Sequence, residues 1–377
     1  VMDRGTIKHA RTYLILGVVL MIGASMGWAQ SVQTGTVTGT VTLPDGTATA
    51  GATVVLEGEK GQRTTVTGEK GTFVFLSMLP GTYTLTTSLD GFNTNVVEAV
   101  QVTSGVTNNI NIALEIAAAE GEITVTSEAP IVDTRSSSIN TTFTDEALAV
   151  VPTARDTFYD LSLTAAGMAA VGADESWMPS ASAYGSATNA NIFLVDGVNT
   201  TNPRGASWGS LVSVNYDTVQ EVKVLSLGAS AEYGSFSGAA IDVITKTGGN
   251  EFHGGVGYWT MLGDASDNYT TNFGGIYYAD PADDITTSPV TQDEISLTVG
   301  GPILRDKLWF YAGYNQRKYE TDTPIWEPLE GSDTKLFDAK ITADIANNHR
   351  LWVGYHYEDN QTKNQNWGEF WDPTVRY

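Results

Sequence analysis

Three observations predict that this sequence folds as a mostly β protein of more than one domain. Gly, Thr, Ser, Asn and Tyr are abundant while Lys, Glu and Leu are sparse, which is a bias of strands and turns. Short stretches alternate apolar and polar residues and are separated by Gly, Pro, Asn or Asp. Convincing helical signals are confined to residues 144–167. The length of 377 residues suits two or three domains.

The composition excludes several functional classes. The 43 acidic and 20 basic residues give a net charge of -23, which repels a phosphate backbone, so no nucleic acid partner is expected. The chain contains no cysteine, which excludes disulfide scaffolds, thiolate zinc sites and cysteine nucleophiles.

The N-terminus has the pattern of a signal peptide. Three basic residues precede the apolar run YLILGVVLMIGASMGW, which ends in small residues. We therefore expect residues 1–29 to be a signal peptide, cleaved between Ala29 and Gln30. A membrane anchor is the alternative, although the run is shorter than the ~20 residues needed to span a bilayer. Either interpretation predicts export of the remainder.

Residues 31–116 contain short strands at even spacing, separated by PDGT, GEKG and LPGT turns, as in an antiparallel sandwich. The stretches GTVTLPDGTATAGATVVL, GEKGTFVF and LPGTYTLTTSLDGF resemble the carboxypeptidase regulatory-like domain, a small transthyretin-like sandwich. Domains of this type are sometimes grouped with carbohydrate-binding folds. A row of exposed aromatic residues that could stack on sugar is missing from the pattern, so sugar binding stays the minor alternative.

A linker at residues 117–134 joins this sandwich to the next domain. It contains ITVTSEAP, whose alternating β-branched residues suit an edge strand that a partner captures by β-augmentation. The alternative is a passive tether that ends in the first strand of the next domain.

Residues 135–248 predict a small α+β domain. Thr144 precedes an acidic first turn and Pro152 stops that helix, while a second helical stretch, RDTFYDLSLTAAG, ends at Gly167. The strands NIFLVDGVN, TVQEVKVLSLG and GAAIDVITKTG follow. Asp196-Gly197 predicts a tight turn in which the aspartate side chain bonds the backbone ahead of it.

The chain changes character at Gly248-Gly249-Asn250. Before it, AIDVITK is partly apolar on both faces, as in a buried strand. After it, FHGGVGYW, ISLTVGGPI and FDAKITADI each pair an apolar face with a small, polar or charged face, and Trp and Tyr cluster near strand ends. We therefore expect residues 249–377 to begin an outer-membrane β-barrel; a soluble antiparallel sandwich with one wet face, which would show similar alternation, is the alternative. Six or seven strands of ~10 residues fit there, too few to enclose the preceding domain, so we expect an incomplete barrel and a C-terminally truncated chain.

Four ordered blocks resemble TonB-dependent outer-membrane receptors, namely the sandwich, NIFLVDGVN, VQEVKVLSLGASAEYGSFSGAAIDVITKTGGNEFHGG and LTVGGPILRDKLWFYAGYNQRK. The Oar-like branch, which carries a carboxypeptidase regulatory-like domain ahead of its plug, is the most similar. The resemblance implies that residues 135–248 are the plug. It implies that the plug motif includes Leu194, Asp196, Gly197, Tyr233, Gly234, Gly238, Gly248 and Gly249.

The resemblance also implies an outer-membrane transporter surrounded by lipid, with the sandwich and plug on the periplasmic side. A TonB-type protein of the inner membrane would supply the energy by pulling on a coupling segment, the TonB box. The candidate residues for that box are Ile123, Thr124, Val125, Thr126 and Ser127. The ligand is not identified by the sequence; carbohydrate, peptide and chelated metal stay open.

The sequence predicts no enzyme, cofactor or metal site. The stretch GSFSG has Phe236 where a nucleophile elbow needs serine, and His349 and His356 lie seven residues apart on one strand. The acidic cluster DPADD lacks the ligand spacing of a calcium loop. The alternative function is a secreted or surface protein of β modules for adhesion or carbohydrate binding.

Overall fold

The computed structural model describes residues 33–117, 125–128, 139–151, 158–171, 180–204, 209–227, 233–234, 236–261, 290–321, 330–346 and 349–363. The predicted signal peptide with Ala29 and Gln30, most of the linker with Ile123 and Thr124, and the DPADD cluster lie outside these ranges. Residues from Gln33 onward form one compact unit. No helix in the described ranges is both long and apolar enough to cross a membrane.

The first part of this unit is a two-sheet β-sandwich. Its strands are β1 Gly35–Thr42, β2 Thr53–Gly58, β3 Gly61–Val66, β4 Thr72–Met78, β5 Gly81–Ser88, β6 Asn95–Val102, β7 Thr107–Asn109, β8 Ile112–Ala113 and β9 Val125–Glu128. One sheet has the order β4-β1-β7, with β8 also paired to β1, and the other has the order β3-β2-β5-β6-β9. Burial alternates strictly along β1, and the buried residues of both sheets share one apolar core.

The second part, which we call the middle sheet, is a five-stranded sheet with two short helices. Its elements are β10 Ile139–Thr144, α1 Asp145–Val150, α2 Tyr159–Leu163, β11 Met168–Val171, β12 Ser180–Ala183, β13 Ile192–Val195, β14 Val198–Asn199, β15 Val219–Leu227 and β16 Ala240–Thr245. The strand order is β10-β15-β16-β13-β14, and β11 pairs with β12 separately. Strand β16 has a partner on each side, and its first five residues are all buried, as the two partly apolar faces predict.

The third part, which we call the wall sheet, is antiparallel and follows chain order. Its strands are β17 His253–Met261, β18 Val290–Leu304, β19 Leu308–Thr321, β20 Glu330–Ala346 and β21 His349–Lys363. Along β18, Ile295, Leu297 and Val299 are exposed on one face, whereas Glu294 and Ser296 on the other face are buried. The wall sheet therefore has an apolar outer face and a polar inner face.

Three local predictions differ from the structure. Four of the five wall strands span 14 to 17 residues, longer than the ~10 expected, because their antiparallel ladders continue almost to the connections between them. Helix α2 ends at Leu163 rather than Gly167, and the β11–β12 hairpin was not predicted. Thr144 is the N-cap of α1, but its hydroxyl donates to Glu146 Oε2 at 2.9 Å instead of capping a backbone amide.

Candidate functional site between the middle and wall sheets

The Asp196-Gly197 turn is a two-residue hairpin between β13 and β14. Both residues have positive φ, 51° and 76°, and Val195 pairs with Val198 across the turn. This is the backbone conformation for which Asp-Gly is the preferred sequence in a two-residue hairpin. A Cβ on Gly197 would meet no atom within 4 Å, so the requirement for glycine there comes from the backbone alone.

The Asp196 carboxylate does not bond the backbone ahead of it, so that part of the prediction was wrong. Its Oδ1 accepts from the Thr245 amide at 3.0 Å and its Oδ2 from the Thr245 hydroxyl at 2.5 Å. Thr245 ends β16, and the parallel pairing of β13 with β16 brings the turn beside it. The turn is thereby fixed to the centre of the middle sheet.

A lysine of the wall sheet completes this cluster. Lys340, on the inner face of β20, places its Nζ 2.9 Å from Asp196 Oδ1 and donates to the carbonyl and hydroxyl oxygens of Thr245 at 3.2 and 3.1 Å. The Lys340 and Asp196 side chains are only 6% and 8% exposed. The Trp352 ring centroid lies 5.2 Å from Nζ, within cation–π range. The wall sheet is thus joined to the middle sheet by a buried ion pair.

A second carboxylate, Asp242 of β16, lies fully buried behind the turn. Its Oδ1 accepts from the Gly197 amide at 3.2 Å, and its Oδ2 has no hydrogen-bond partner among the described residues. Burial raises the pKa of Asp242 to about 7, and the negative charge of Asp196 adds to the rise while the Gly197 bond opposes it. A titratable group therefore lies inside the middle sheet, next to the ion pair.

The GGN junction is where the chain crosses from the middle sheet to the wall sheet. A Cβ on Gly248 would lie 2.2 Å from the Phe310 carbonyl oxygen, and one on Gly249 would lie 2.8 Å from the Glu59 carbonyl oxygen. Asn250 donates from its amide to that Glu59 oxygen at 2.9 Å, and its Oδ1 accepts from the Trp309 indole at 3.0 Å. Glycine is required here by close backbone approach.

The other predicted motif residues are distributed around the middle sheet. Leu194 and Tyr233 are buried, and Gly234 has a φ of +77°. A Cβ on Gly238 would lie 2.3 Å from Asn191 Oδ1. These positions are structural and are not brought together into one site, whereas Asp196 and Gly197 lie at the ion pair.

The sandwich is held to the middle sheet by a contact that the sequence did not reveal. The Ser104 amide donates to Glu221 Oε1 at 3.0 Å, and Lys223 Nζ donates to the Ser104 carbonyl oxygen at 2.9 Å. Glu221 and Lys223 are two apart on β15, so they lie on one face of the strand and bind both backbone groups of one residue. All three residues are buried, and burial raises the pKa of Glu221.

The sandwich also contacts the wall sheet. Arg63 of β3 and Arg350 of β21 both bond the Asp344 carboxylate, with Nη2–Oδ2 distances of 2.7 Å in each case. Arg350 also donates to the Ser77 carbonyl oxygen at 2.8 Å. Two guanidinium groups therefore share one carboxylate where the sandwich contacts the end of β20.

The candidate coupling segment lies partly in the described residues. Val125, Thr126 and Ser127 belong to β9, which pairs in parallel with β6 at the edge of the sandwich. The sequence predicted an edge strand at this position but not its partner in the same chain. No group of three or more His, Asp or Glu side chains suited to a metal is found in the described ranges.

Comparison with known proteins finds one matching domain model and one similar transporter. Residues 36–115 match the carboxypeptidase regulatory-like domain. The chain is 28% identical over 358 residues to the TonB-dependent transporter Oar of Myxococcus xanthus. The chain is thus similar to an Oar-type TonB-dependent transporter along most of its length.

The match covers 85% of this chain and 32% of the M. xanthus protein, so the chain spans about a third of the length of that relative. Two solved structures are similar over 59% of the chain: the siderophore receptor PirA from Acinetobacter baumannii, at 20% identity with a TM-score of 0.44, and the outer membrane transporter YddB from Escherichia coli, at 18% identity with 0.46. They are matched over 32% and 33% of their own chains. The fold class is confirmed as mostly β, with an N-terminal sandwich followed by the middle and wall sheets.

Proposed function

We propose that the full-length protein is an energy-coupled transporter of the outer membrane, in which the middle sheet is the plug and the wall sheet is part of the barrel. The observation that carries the proposal is the Lys340–Asp196 ion pair, which bonds the middle sheet to the inner face of a sheet whose outer face is apolar. A plug held inside a barrel needs such a contact, and this contact must break or shift before a ligand can pass.

The outer face of the wall sheet supports its assignment to lipid. The exposed apolar side chains on that face are Val256, Tyr258, Ile295, Leu297, Val299, Phe337, Ile341, Leu351, Val353, Tyr355 and Tyr357. A continuous exposed apolar surface of this kind is costly in water and favourable in a bilayer.

The ends of the wall strands support an orientation. Strands β18 and β19 are joined by three residues, and β20 and β21 by two, whereas 28 residues separate β17 from β18. In outer-membrane barrels the short turns face the periplasm. The sandwich contacts this end through Glu59 and Arg63, so we propose that the sandwich and the plug lie on the periplasmic side.

We propose that a TonB-type partner supplies the energy by pairing with residues 123–127 and pulling on the plug. In the chain these residues lie between β8 of the sandwich and β10, the first strand of the middle sheet, so a pull on them acts on β10. The ligand class stays open among carbohydrate, peptide and chelated metal.

Binding of the purified full-length receptor to the immobilised periplasmic domain of a TonB-type protein tests this proposal. Val125→Pro should abolish binding because proline removes the backbone donor and fixes φ, whereas the matched Val125→Thr should bind like wild type. A shift in gel migration on boiling serves as the control for barrel folding. Wild-type binding by Val125→Pro would place the coupling segment elsewhere, such as near Gln30. Absence of the heat shift would favour the β-modular adhesion protein.

A further inference from the structure

The candidate coupling segment is already paired with another strand of its own chain. Strand β9 runs parallel to β6 in the register Asn95 with Val125, Val96 with Thr126, Val97 with Ser127 and Glu98 with Glu128. These four pairs include three of the five candidate box residues. The backbone groups that a partner strand would use are therefore engaged within the receptor.

The position of β9 makes this pairing exchangeable. In the sheet order β3-β2-β5-β6-β9, β9 is the outermost strand and is only four residues long. It covers the edge of β6, whose other side is paired with β5. Adding a strand to a sheet edge depends on backbone bonds and little on side-chain identity, so an incoming sheet edge can replace β6 as the partner.

The strand that holds β9 is itself fixed. Beyond its end at Val102, β6 leads to Ser104, whose amide and carbonyl groups are bound by the buried Glu221 and Lys223 side chains. The sandwich is also tied to the wall sheet through Arg63 and Asp344. Removing β9 breaks its ladder with β6 and leaves the Ser104 and Arg63 contacts in place, so the segment can leave while the sandwich stays docked.

We propose that the sandwich captures the coupling segment in the resting receptor, and that the TonB-type partner must displace β9 from β6 to engage it. This inference rests on the proposed function. It gives the N-terminal domain a regulatory role, because the edge of β6 competes with the TonB-type partner for the same backbone groups of β9. The fraction of receptors with β9 paired to β6 therefore sets how readily the partner binds.

A disulfide trap in the full-length receptor tests the capture; residues 1–377 contain no cysteine, and any cysteine beyond them is replaced before the trap is built. Val96→Cys with Thr126→Cys joins directly paired residues, at the ~4.8 Å spacing of neighbouring strands, within disulfide range. Val96→Cys with Glu128→Cys is the matched control, because an offset of two residues places the Cα atoms ~8 Å apart. We expect the first pair to crosslink on mild oxidation and the control pair to remain largely reduced.

The second measurement is the affinity of each form for the periplasmic domain of the TonB-type protein. The oxidised Val96→Cys/Thr126→Cys receptor should bind at least about tenfold more weakly than the same protein after reduction, while each single-cysteine variant should be insensitive to oxidation. Equal crosslinking in both pairs, no crosslinking, or equal affinity of the oxidised and reduced forms would overturn the capture. Failure of wild type and of all reduced forms to bind would instead contradict the proposed function, and the crosslinking comparison would still decide the capture.

Discussion

Replacing Lys340 with Met removes the positive charge of the ion pair between the middle and wall sheets while keeping most of the side-chain volume. The Asp196 carboxylate would then lose its 2.9 Å contact to Nζ but keep both bonds from Thr245. It would remain buried at 8% exposure without a counter-charge. An isolated buried charge is more costly than a missing contact, so we expect the plug to be destabilised.

The magnitude follows from the burial of both partners. Removing one member of a buried pair costs roughly 3 to 5 kcal/mol, and the two remaining Thr245 bonds place Lys340→Met near the lower end, at about 3 kcal/mol. Asp196→Asn should also destabilise, because it leaves Lys340 buried, and asparagine tolerates the positive φ. The loss of unfolding free energy in the double variant should be smaller than the sum of the two single losses by at least about 2 kcal/mol, because neither side chain then carries an unpaired charge.

The assay is urea unfolding of the plug in the purified full-length receptor in detergent. A fluorophore on Asn189→Cys, an exposed position beside the middle sheet, reports the unfolding of that part; residues 1–377 contain no cysteine, and any cysteine beyond them is replaced first. The midpoint and slope give the free energy of unfolding for the wild type, both single variants and the double variant.

Two results would refute the reasoning. A change below about 0.5 kcal/mol for Lys340→Met would mean that the ion pair does not hold the plug. Additive losses in the double variant would mean that Lys340 and Asp196 stabilise the plug through other neighbours and not through each other.

Three further predictions concern Asp242, Gly197 and Gly248. The pKa of Asp242 is raised from 3.8 to about 7 in the fold, so the folded state loses stability as this carboxyl ionises. The free energy of unfolding of the wild type, relative to that of Asp242→Asn, should fall by up to about 4 kcal/mol as the pH rises from about 4 to about 7, and should then level off. A difference in urea midpoints that does not change with pH would contradict this. Gly197→Val should lower the free energy of unfolding by about 1 to 2 kcal/mol, because valine is strained at a φ of +76°, and should speed proteolysis of the middle sheet, whereas Gly197→Asn should not. Equal protease resistance of the two variants would contradict a requirement for positive φ at this turn. Gly248→Ala should reduce the yield of receptor whose gel migration changes on boiling, because the alanine Cβ would lie 2.2 Å from a backbone oxygen. A normal yield would show that the backbone at this junction can move to accommodate the Cβ.

Features set by neighbours in sequence were predictable. The Asp-Gly pair predicted a hairpin turn, and both residues have the positive φ that it requires. The alternation in ISLTVGGPI predicted the two faces of β18, where Ile295 is 45% exposed and Ser296 is 2% exposed. These predictions succeeded because strand period and turn conformation are local properties.

The ion pair was not predictable, because its partners are 144 positions apart. In FDAKITADI, the alternation places Lys340 on the polar face of a strand, as it would any charged residue, and does not indicate its partner. The burial of Asp242 depends on strands β13 and β15 on either side of it, a property of the sheet that the alternation within β16 cannot reveal. The contact of Glu221 and Lys223 with Ser104 depends on how two domains dock, which the composition of each domain does not specify.

The contacts between the three parts differ in kind from the interior of each part. Within the described residues, one large apolar cluster lies inside the sandwich and the other inside the middle domain. The parts are joined instead by Lys340 with Asp196, by Arg63 with Asp344, and by the side chains that bind the Ser104 backbone. Separating two halves of an apolar core exposes its whole area to water, whereas separated polar groups regain hydrogen bonds to water, so the net cost of opening a polar contact is small. In the proposed transporter the parts stay folded while they move apart under a pulling force, and polar contacts of this kind suit that movement better than a shared apolar core would.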